Sequence, residues 1–259
     1  MREQLDGVAV VTGAASGIGR ATALLLAERG FHVVAVDINA QSLEALSAEA
    51  GERALTTLAC DVAAPDTPAR IAEAVDGLGK PWRVLINNAG IAASPALQET
   101  SDDDIDRFIG INVASVFRLC RTALPIMAEQ GGGSVVNLAS VFGLTGVSGT
   151  SIYALTKGAV AALTVQLACE WGRRGVRVNA VAPGLIDTPL TAARIRDGAW
   201  TQRRILEETP LGRAGTPQDV AETIAFLASP RSAFITGEVL KVDGGWLSGR
   251  LGPRPEEGA

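Results

Sequence analysis

Residues 8–19 read VAVVTGAASGIG, an apolar run followed by a glycine-rich loop. The β-branched and small apolar residues of the first half predict a buried strand at 8–12. Gly13, Gly17 and Gly19 follow and lead into an apolar helical pattern. Because glycine has no Cβ, this loop can turn tightly and present its N–H groups, and the helix start adds partial positive charge, so a pyrophosphate is the expected guest. A plain strand-to-helix turn is the alternative, which the flanking strand and helix disfavour.

Beyond this segment, short β-branched runs alternate with longer helical patterns along nearly the whole chain. Helical patterns include 20–29, which stops at Gly30, and a segment that begins at Thr216-Pro217 with an N-cap and a first-turn proline. Such alternation predicts the α/β class, as a Rossmann-type doubly wound parallel sheet of about seven strands with helices on both faces. The predicted strands are 8–12, 32–37, 54–61, 84–87, 134–139, 177–182 and 239–242.

Size and charge exclude several classes of protein. The chain has 259 residues, of which 47% are hydrophobic and 20% charged, and a net charge of -5. No global positive field attracts nucleic acid or anionic lipid, so neither is an expected partner. The apolar runs are shorter than the roughly 20 residues that span a bilayer, and the start lacks the layout of a signal peptide, which favours a cytoplasmic protein.

The domain prediction is one Rossmann-type domain over 1–246, followed by a loose tail at 247–259. Within the domain, 188–215 is polar and arginine-rich and is expected to form a substrate lid. The single histidine and the absence of a close cysteine pair predict no metal site. Three widely spaced thiols are expected to be reduced residues of the core, namely Cys60, Cys120 and Cys169.

Asp37 ends the second predicted strand, where a carboxylate can bind the ribose hydroxyls of a dinucleotide. A 2′-phosphate there would meet like charge worth roughly 2 to 4 kcal/mol at about 4 to 8 Å and an effective dielectric of about 20. Ala15 and Ile38, the neighbouring positions, supply no compensating arginine. The predicted cofactor is therefore NAD, and the alternative for Asp37 is a solvated strand end.

Tyr153 and Lys157 are four residues apart, on one face of a predicted helix. A phenol titrates near pH 10, so a general base at neutral pH needs its anion stabilised by roughly 4 kcal/mol, which Lys157 and a positively charged nicotinamide could supply. The alternative is a half-buried tyrosine beside a solvated lysine. Because Tyr153 is the only tyrosine, any phenol chemistry must occur there.

These motifs together resemble the short-chain dehydrogenase/reductase family over residues 5–246. The loop 12–19 is similar to its cofactor fingerprint, Asp61-Val62 to its adenine contact, 87–90 to its central-strand motif, and Pro183-Gly184 with Ile186 and Thr188 to its nicotinamide-facing loop. The cofactor-binding residues that the resemblance implies are Gly13, Ser16, Gly17, Ile18, Gly19, Asp37, Asp61, Val62, Asn88, Ala89, Gly90, Tyr153, Lys157, Pro183, Gly184, Ile186 and Thr188. Most of these motifs follow a predicted strand, at the sheet edge where open α/β sheets bind ligands.

Asn112, Ser140, Tyr153 and Lys157 stand where the family keeps its catalytic residues. The resemblance implies that Tyr153 exchanges a proton with the substrate oxygen and that Ser140 hydrogen-bonds that oxygen. Lys157 would lower the pKa of the phenol and hold the nicotinamide ribose, and Asn112 would anchor a proton-relaying water. The alternatives are an amide facing solvent on a helix at 105–127 and a simple strand-ending serine.

The function implied is an NAD-dependent oxidoreductase that interconverts a secondary alcohol and a ketone. Alternatives are an NADPH-dependent 3-oxoacyl-carrier-protein reductase and a non-catalytic dinucleotide sensor. Family resemblance also implies a homotetramer in which the helices of Asn112 and Tyr153 pack across subunits.

The residues expected around the substrate are Ser140, Phe142, Tyr153 and Trp200, with Ala92, Val141, Leu144 and Ile186. The lid arginines, Arg194, Arg196, Arg203 and Arg204, are expected either to face solvent or to bind an anionic group.

Overall fold

The computed structural model describes residues 6–93, 95–201 and 207–249. Within these residues, parallel strands form one sheet in the order β3-β2-β1-β4-β5-β6-β7. This arrangement confirms the predicted doubly wound parallel sheet of seven strands. The strands are Val8–Thr12 (β1), His32–Asp37 (β2), Leu55–Ala59 (β3), Trp82–Asn87 (β4), Gly133–Leu138 (β5), Val176–Pro183 (β6) and Val239–Val242 (β7).

Helices cover both faces of the sheet because successive strand residues point to opposite sides. In β1, Ala9 and Val11 join the apolar cluster under the helices at 17–28 and 217–228, whereas Val8 and Val10 join the cluster under the helices at 67–76, 115–129 and 151–171. All four side chains are fully buried, which explains why this strand has no polar position. The helices are Gly17–Glu28 (α1), Ala40–Ala50 (α2), Thr67–Asp76 (α3), Asp102–Ile109 (α4), Ser115–Glu129 (α5), Ser151–Trp171 (α6), Ala192–Asp197 (α7), Ala199–Thr201 (α8) and Pro217–Ala228 (α9).

Element boundaries differ from the prediction where loop chemistry intervenes. Helix α1 begins at Gly17 rather than at residue 20, because packing beneath the loop offsets the low helix propensity of its glycines. Strand β3 ends at Ala59, and the Asp61 carboxylate then accepts a hydrogen bond from the Ala63 amide at 2.8 Å, which turns the chain. Helix α9 begins as predicted, with Thr216 and Asp219 forming a capping box.

The strand order places a binding crevice at one edge of the sheet. β1 lies between β2 and β4, and the chain winds outward from β1 in both directions, so the helices α1 and α5, which come after β1 and after β4, cover opposite faces of the sheet. Ligands of open α/β sheets bind at this position. The loops that follow β1, β2, β4, β5 and β6 all reach this edge.

Helix α6 is apolar on nearly all sides. Val160 and Leu167 pack on the sheet, but Leu155 is 56% exposed and Cys169 is also exposed. The prediction that Cys169 is a core residue is therefore wrong: an apolar helix without a polar face has no periodicity from which its buried side can be read. The segment Ser151–Arg174 is also long and apolar enough to cross a membrane by length and composition, as is Asp102–Glu129, although both pack against the sheet.

Candidate active site

The glycine-rich loop is packed too closely for side chains at two of its glycines. Gly13 has φ +63°, and a Cβ added to it would lie 2.8 Å from the Asn88 amide nitrogen. A Cβ on Gly19 would lie 2.0 Å from the Gly13 carbonyl oxygen. Gly19 therefore lies beneath the loop and supports it, whereas Gly13, Ser16 and Gly17 face the crevice. The tight turn expected of this loop is present, and the approach of a ligand to its backbone stays a prediction.

Thr12 and Asn88 hold the loops after β1 and β4 together. The Asn88 side-chain amide donates to the carbonyls of Thr12 at 2.8 Å and Gly13 at 3.1 Å. The Thr12 hydroxyl in turn accepts the backbone N–H groups of Asn88 and Ala89. This hydrogen-bond network fixes the backbone at the base of the crevice without a bound ligand.

Asp37 projects from the end of β2 toward the glycine-rich loop. Its carboxylate accepts hydrogen bonds from the backbone amides of Ala15 and Asn39, each at 3.0 Å. The side chain is half-buried, so Asp37 is more than a solvated strand end. Ile38 beside it is 71% exposed and offers no charge. A carboxylate held at this rim can accept from ribose hydroxyls.

The proposed adenine end of the crevice is built by the loop after β3. Asp61 is exposed and Val62 is buried, and both line the crevice beside Cys60. Arg118 on α5 donates to the carbonyl of Ala63 at 2.9 Å and so ties this loop to the helix layer.

Lys157 is only 6% exposed, which excludes the alternative of a solvated lysine. Its Nζ donates to the Leu138 carbonyl at the end of β5 at 2.6 Å and lies 6.0 Å from the centroid of the Tyr153 ring. Burial lowers the pKa of Lys157 from 10.5 to about 8. The ammonium is therefore close enough to the phenol to stabilise its anion while it remains charged at neutral pH.

Ser140 and Tyr153 face the crevice from different elements. Tyr153 lies in the first turn of α6, and Ser140 caps the short 3-10 turn Val141–Gly143 after β5. The Ser140 hydroxyl oxygen accepts the Phe142 amide at 3.2 Å, so its hydrogen remains to donate to a substrate oxygen. Serine and phenol thus line one cavity with Lys157.

Asn112 is 1% exposed, so the alternative of an amide facing solvent is wrong. A π-helical turn, Gly110–Ala114, separates α4 from α5 and turns Asn112 inward. Its amide exchanges two hydrogen bonds with the backbone of Ile91, both at 2.9 Å, and donates to the Thr156 hydroxyl at 3.1 Å. Asn112 therefore joins the loop after β4 to the helix that carries Tyr153 and Lys157, and its role as a water anchor stays a prediction.

These groups surround one cavity of about 860 Å³, within the range of small-molecule and cofactor sites. Every residue predicted to bind the cofactor lines it except Gly19. Ser140, Phe142, Tyr153, Ala92, Val141 and Ile186 also line it, whereas Leu144 does not and is partly exposed. Among the described residues, no cluster of three His, Cys, Asp or Glu side chains could hold a metal ion.

The predicted lid is described only in part. Thr188 and Thr191 line the cavity at its start, and Thr188 lies against Gly17, since a Cβ on that glycine would be 3.2 Å from the Thr188 methyl. Trp200 belongs to α8, but its side chain lies outside the described part of the chain, as does that of Arg194. Arg203 and Arg204 also lie outside the described residues, and Arg196 is exposed beside Asp197.

Trp246 lines the cavity and was not predicted as a site residue. It follows β7, and the sequence offered one signal for it: the turn Asp243-Gly244-Gly245 occurs at the carboxyl end of a predicted strand, the same edge that carries the other site residues.

Comparisons with known proteins cover nearly the whole chain. A family model described as "Enoyl-(Acyl carrier protein) reductase" matches residues 13–247. The chain is 40% identical over 245 residues to a 3-oxoacyl-(acyl-carrier-protein) reductase of Thermotoga maritima, covering 93% of this chain and 98% of the relative. It is 42% identical over 246 residues to a cis-4-hydroxycyclohexanecarboxylate dehydrogenase of Sinomonas cyclohexanicum, covering 94% and 97%. A solved structure called a short chain dehydrogenase/reductase family protein superposes with a TM-score of 0.86 at 34% identity, covering 95% of this chain and all of that one.

Proposed function

The chain belongs to the short-chain dehydrogenase/reductase family and is an oxidoreductase that uses a nicotinamide dinucleotide, and on this premise we propose that its cofactor is NAD and its substrate a neutral secondary alcohol or ketone. The observation that carries the proposal is the placement of Ser140, Tyr153 and buried Lys157 around one cavity whose other end holds Asp37.

The protein's own residues would move a proton while the cofactor, when bound, supplies the hydride acceptor or donor. Tyr153 takes the proton of a substrate hydroxyl in the oxidative direction and returns it in the reductive one. Lys157 stabilises the phenolate by its charge. Ser140 donates to the same substrate oxygen and orients it. Asn112 keeps the two catalytic residues of α6 in place through Thr156.

Asp37 supports NAD over NADP. Its carboxylate is held by two backbone amides at the rim, so it cannot easily turn away from a 2′-phosphate. Ala15 and Ile38 offer no cation to offset the repulsion.

Exchanging this carboxylate for a cation is expected to reverse cofactor preference. The double variant Asp37→Ala/Ile38→Arg removes the repulsion and adds a phosphate partner, so the ratio of kcat/KM for NADP to that for NAD should rise by about 100-fold or more. Steady-state rates with both cofactors measure it. The control is Asp61→Ala at the adenine end, which should leave the ratio within about threefold because it lies away from the 2′ position. A wild-type enzyme that prefers NADPH would overturn the proposal.

An acyl-carrier reductase is the second candidate, favoured by the relative from Thermotoga maritima. Arg173 and Arg174 give a small positive surface at the end of α6 that an acidic carrier could contact. Turnover of an acetoacetyl thioester with NADH and with NADPH discriminates the two candidates. Faster reduction of the thioester with NADPH than of simple ketones with NADH would favour the carrier reductase.

We also propose a homotetramer that buries the exposed apolar side of α5 and α6. Phe117 is 52% exposed, and Leu155 and Val165 are exposed on the second helix. Exposed apolar residues clustered on two long helices are typical of subunit interfaces.

Charge placed on this surface is expected to dissociate the assembly. The variant Phe117→Asp/Val165→Asp should sediment as a smaller species than the wild type, because two desolvated carboxylates per subunit oppose association. Leu97→Asp, an exposed apolar residue outside both helices, is the control and should sediment as the wild type does. A wild-type monomer at micromolar concentration would contradict the proposal.

A further inference from the structure

We propose that Trp246 determines substrate specificity: together with Phe142 it forms an aromatic wall that selects a ring-shaped, uncharged alcohol or ketone. The proposal rests on the function proposed above and adds the shape of the substrate. Phe142 follows β5 and Trp246 follows β7, two strands further along the sheet, and both line the cavity that holds Tyr153.

Phe142 contacts two other aromatic rings that line the cavity, those of Tyr153 and Trp246. The ring of Phe142 contacts the ring of Tyr153 edge-on, with centroids 6.4 Å apart and planes at 84°. The same ring contacts Trp246, with centroids 6.0 Å apart and planes at 54°. Such pairs add stability beyond the area they bury, so the three rings support each other's positions. A substrate oxygen bound at Tyr153 would therefore have its carbon skeleton against Phe142 and Trp246.

The turn that presents Trp246 is built around one carboxylate. Asp243 follows β7 directly, and its two carboxylate oxygens accept the amides of Gly245 at 2.9 Å and Leu247 at 2.8 Å. The Trp246 amide donates to the Asp243 carbonyl at 3.2 Å. These hydrogen bonds close a compact turn and fix the backbone position from which the indole of Trp246 extends. Trp246 consequently extends from a hydrogen-bonded turn at the end of the domain predicted over 1–246.

Two neighbouring segments clamp this turn. On one side is Gly184 at the end of β6, where an added Cβ would lie 2.8 Å from the Asp243 Cα. On the other is the segment that leaves the lid: a Cβ on Gly244, which has φ +62°, would lie 2.7 Å from the Thr209 methyl, and Leu211 donates to the Gly244 carbonyl at 3.2 Å. The turn that carries Trp246 is thus packed between the segment after β6 and the segment at 209–211.

The charge distribution along the cavity supports an uncharged substrate. Among the described residues that line it, only Asp37, Asp61 and Lys157 carry a charge, and all three belong to the dinucleotide end or to the catalytic pair. The rest of the cavity lining is uncharged and includes Val147 and Leu190, with the polar residues Ser148 and Thr150. A rigid apolar ring can contact two aromatic side chains without losing conformational entropy of its own. A flexible chain loses conformational entropy when it binds in the same place, which costs free energy.

The test compares a ring substrate with an acyclic one in matched variants. Cyclohexanol and 2-butanol are assayed with NAD in the wild type, Trp246→Leu, Trp246→Phe and Trp171→Leu. Trp171 is the control because it lies at the far end of α6, against Arg174. We expect Trp246→Leu to lower the ratio of kcat/KM for cyclohexanol to that for 2-butanol by about tenfold, mostly through KM, because a flat contact face is lost. Trp246→Phe should restore most of the ratio, and Trp171→Leu should not change it.

A binding measurement separates this proposal from the proposed function. Cyclohexanol is titrated calorimetrically into the Tyr153→Phe enzyme saturated with NAD, with and without Trp246→Leu. The wild type could oxidise neither alcohol while Trp246→Leu still weakens cyclohexanol binding in this titration. That result would contradict the proposed function and support the proposed role of Trp246. Three results would overturn the proposed role of Trp246: an unchanged kcat/KM ratio in Trp246→Leu, an equal loss of kcat/KM for both alcohols, or no cyclohexanol binding to the Tyr153→Phe enzyme.

Discussion

Tyr153→Phe is expected to lower kcat for alcohol oxidation by about 10²- to 10⁴-fold, the range found for removal of a general base. The substitution deletes one oxygen and keeps the ring that packs against Phe142. NAD affinity should therefore fall far less than kcat. Single-turnover rates and equilibrium NAD titration measure the two quantities separately. The melting temperature, compared with that of the wild type, controls for any loss of folded enzyme.

The same residue permits a direct measurement of the phenol. Because Tyr153 is the only tyrosine, ultraviolet titration of the NAD-bound enzyme reports a single phenol. It should ionise well below pH 10, since the Lys157 ammonium favours its anion. An ordinary value would count against Tyr153 as the base. A Tyr153→Phe variant that kept full biological activity would instead support the dinucleotide sensor.

Lys157→Met is expected to lower kcat/KM at pH 7 by about 100-fold or more, because the phenolate loses its partner charge and the cofactor loses a contact. In the wild type, the oxidation rate should rise with pH as Tyr153 loses its proton. It should then fall above pH 8, where Lys157, with its pKa lowered to about 8 by burial, becomes neutral. The variant should lack this descending limb, and its ascending limb should move toward the ordinary phenol range.

Stability against pH provides a second readout for Lys157. Its pKa is about 8 in the folded chain and near 10.5 when exposed, so between these values the unfolded state binds more protons. The free energy of unfolding should therefore contain a term that rises with pH between about 8 and 10.5. Lys157→Met should abolish that term. Lys80→Met, at an exposed lysine near Asp6, is the control and should retain it. A pH dependence that is the same in both variants would contradict the burial of the ammonium.

The sheet and most of the cavity could be predicted because they depend on local patterns. β1 and its glycine loop carry an apolar, β-branched run, three glycines and a helix start within 12 residues, and Asp37 follows from the next strand end. Asn112 could not be oriented because the π-helical turn adds a residue to one helical turn and changes which side faces the core. Trp246 was missed because its direction depends on contacts of the Asp243 turn with Gly184 and Thr209, which are distant in sequence.

The hydrogen bond from Lys157 to the Leu138 carbonyl has a consequence for the timing of entropy loss. A lysine side chain loses up to about 2 kcal/mol of rotamer freedom when it is immobilised. Here that loss accompanies folding, because the bond to Leu138 exists without any ligand. One of the three ammonium hydrogens is occupied, and two remain for the cofactor and for the phenol's surroundings. The cation is thus preorganised, so each catalytic cycle begins without a search for its conformation.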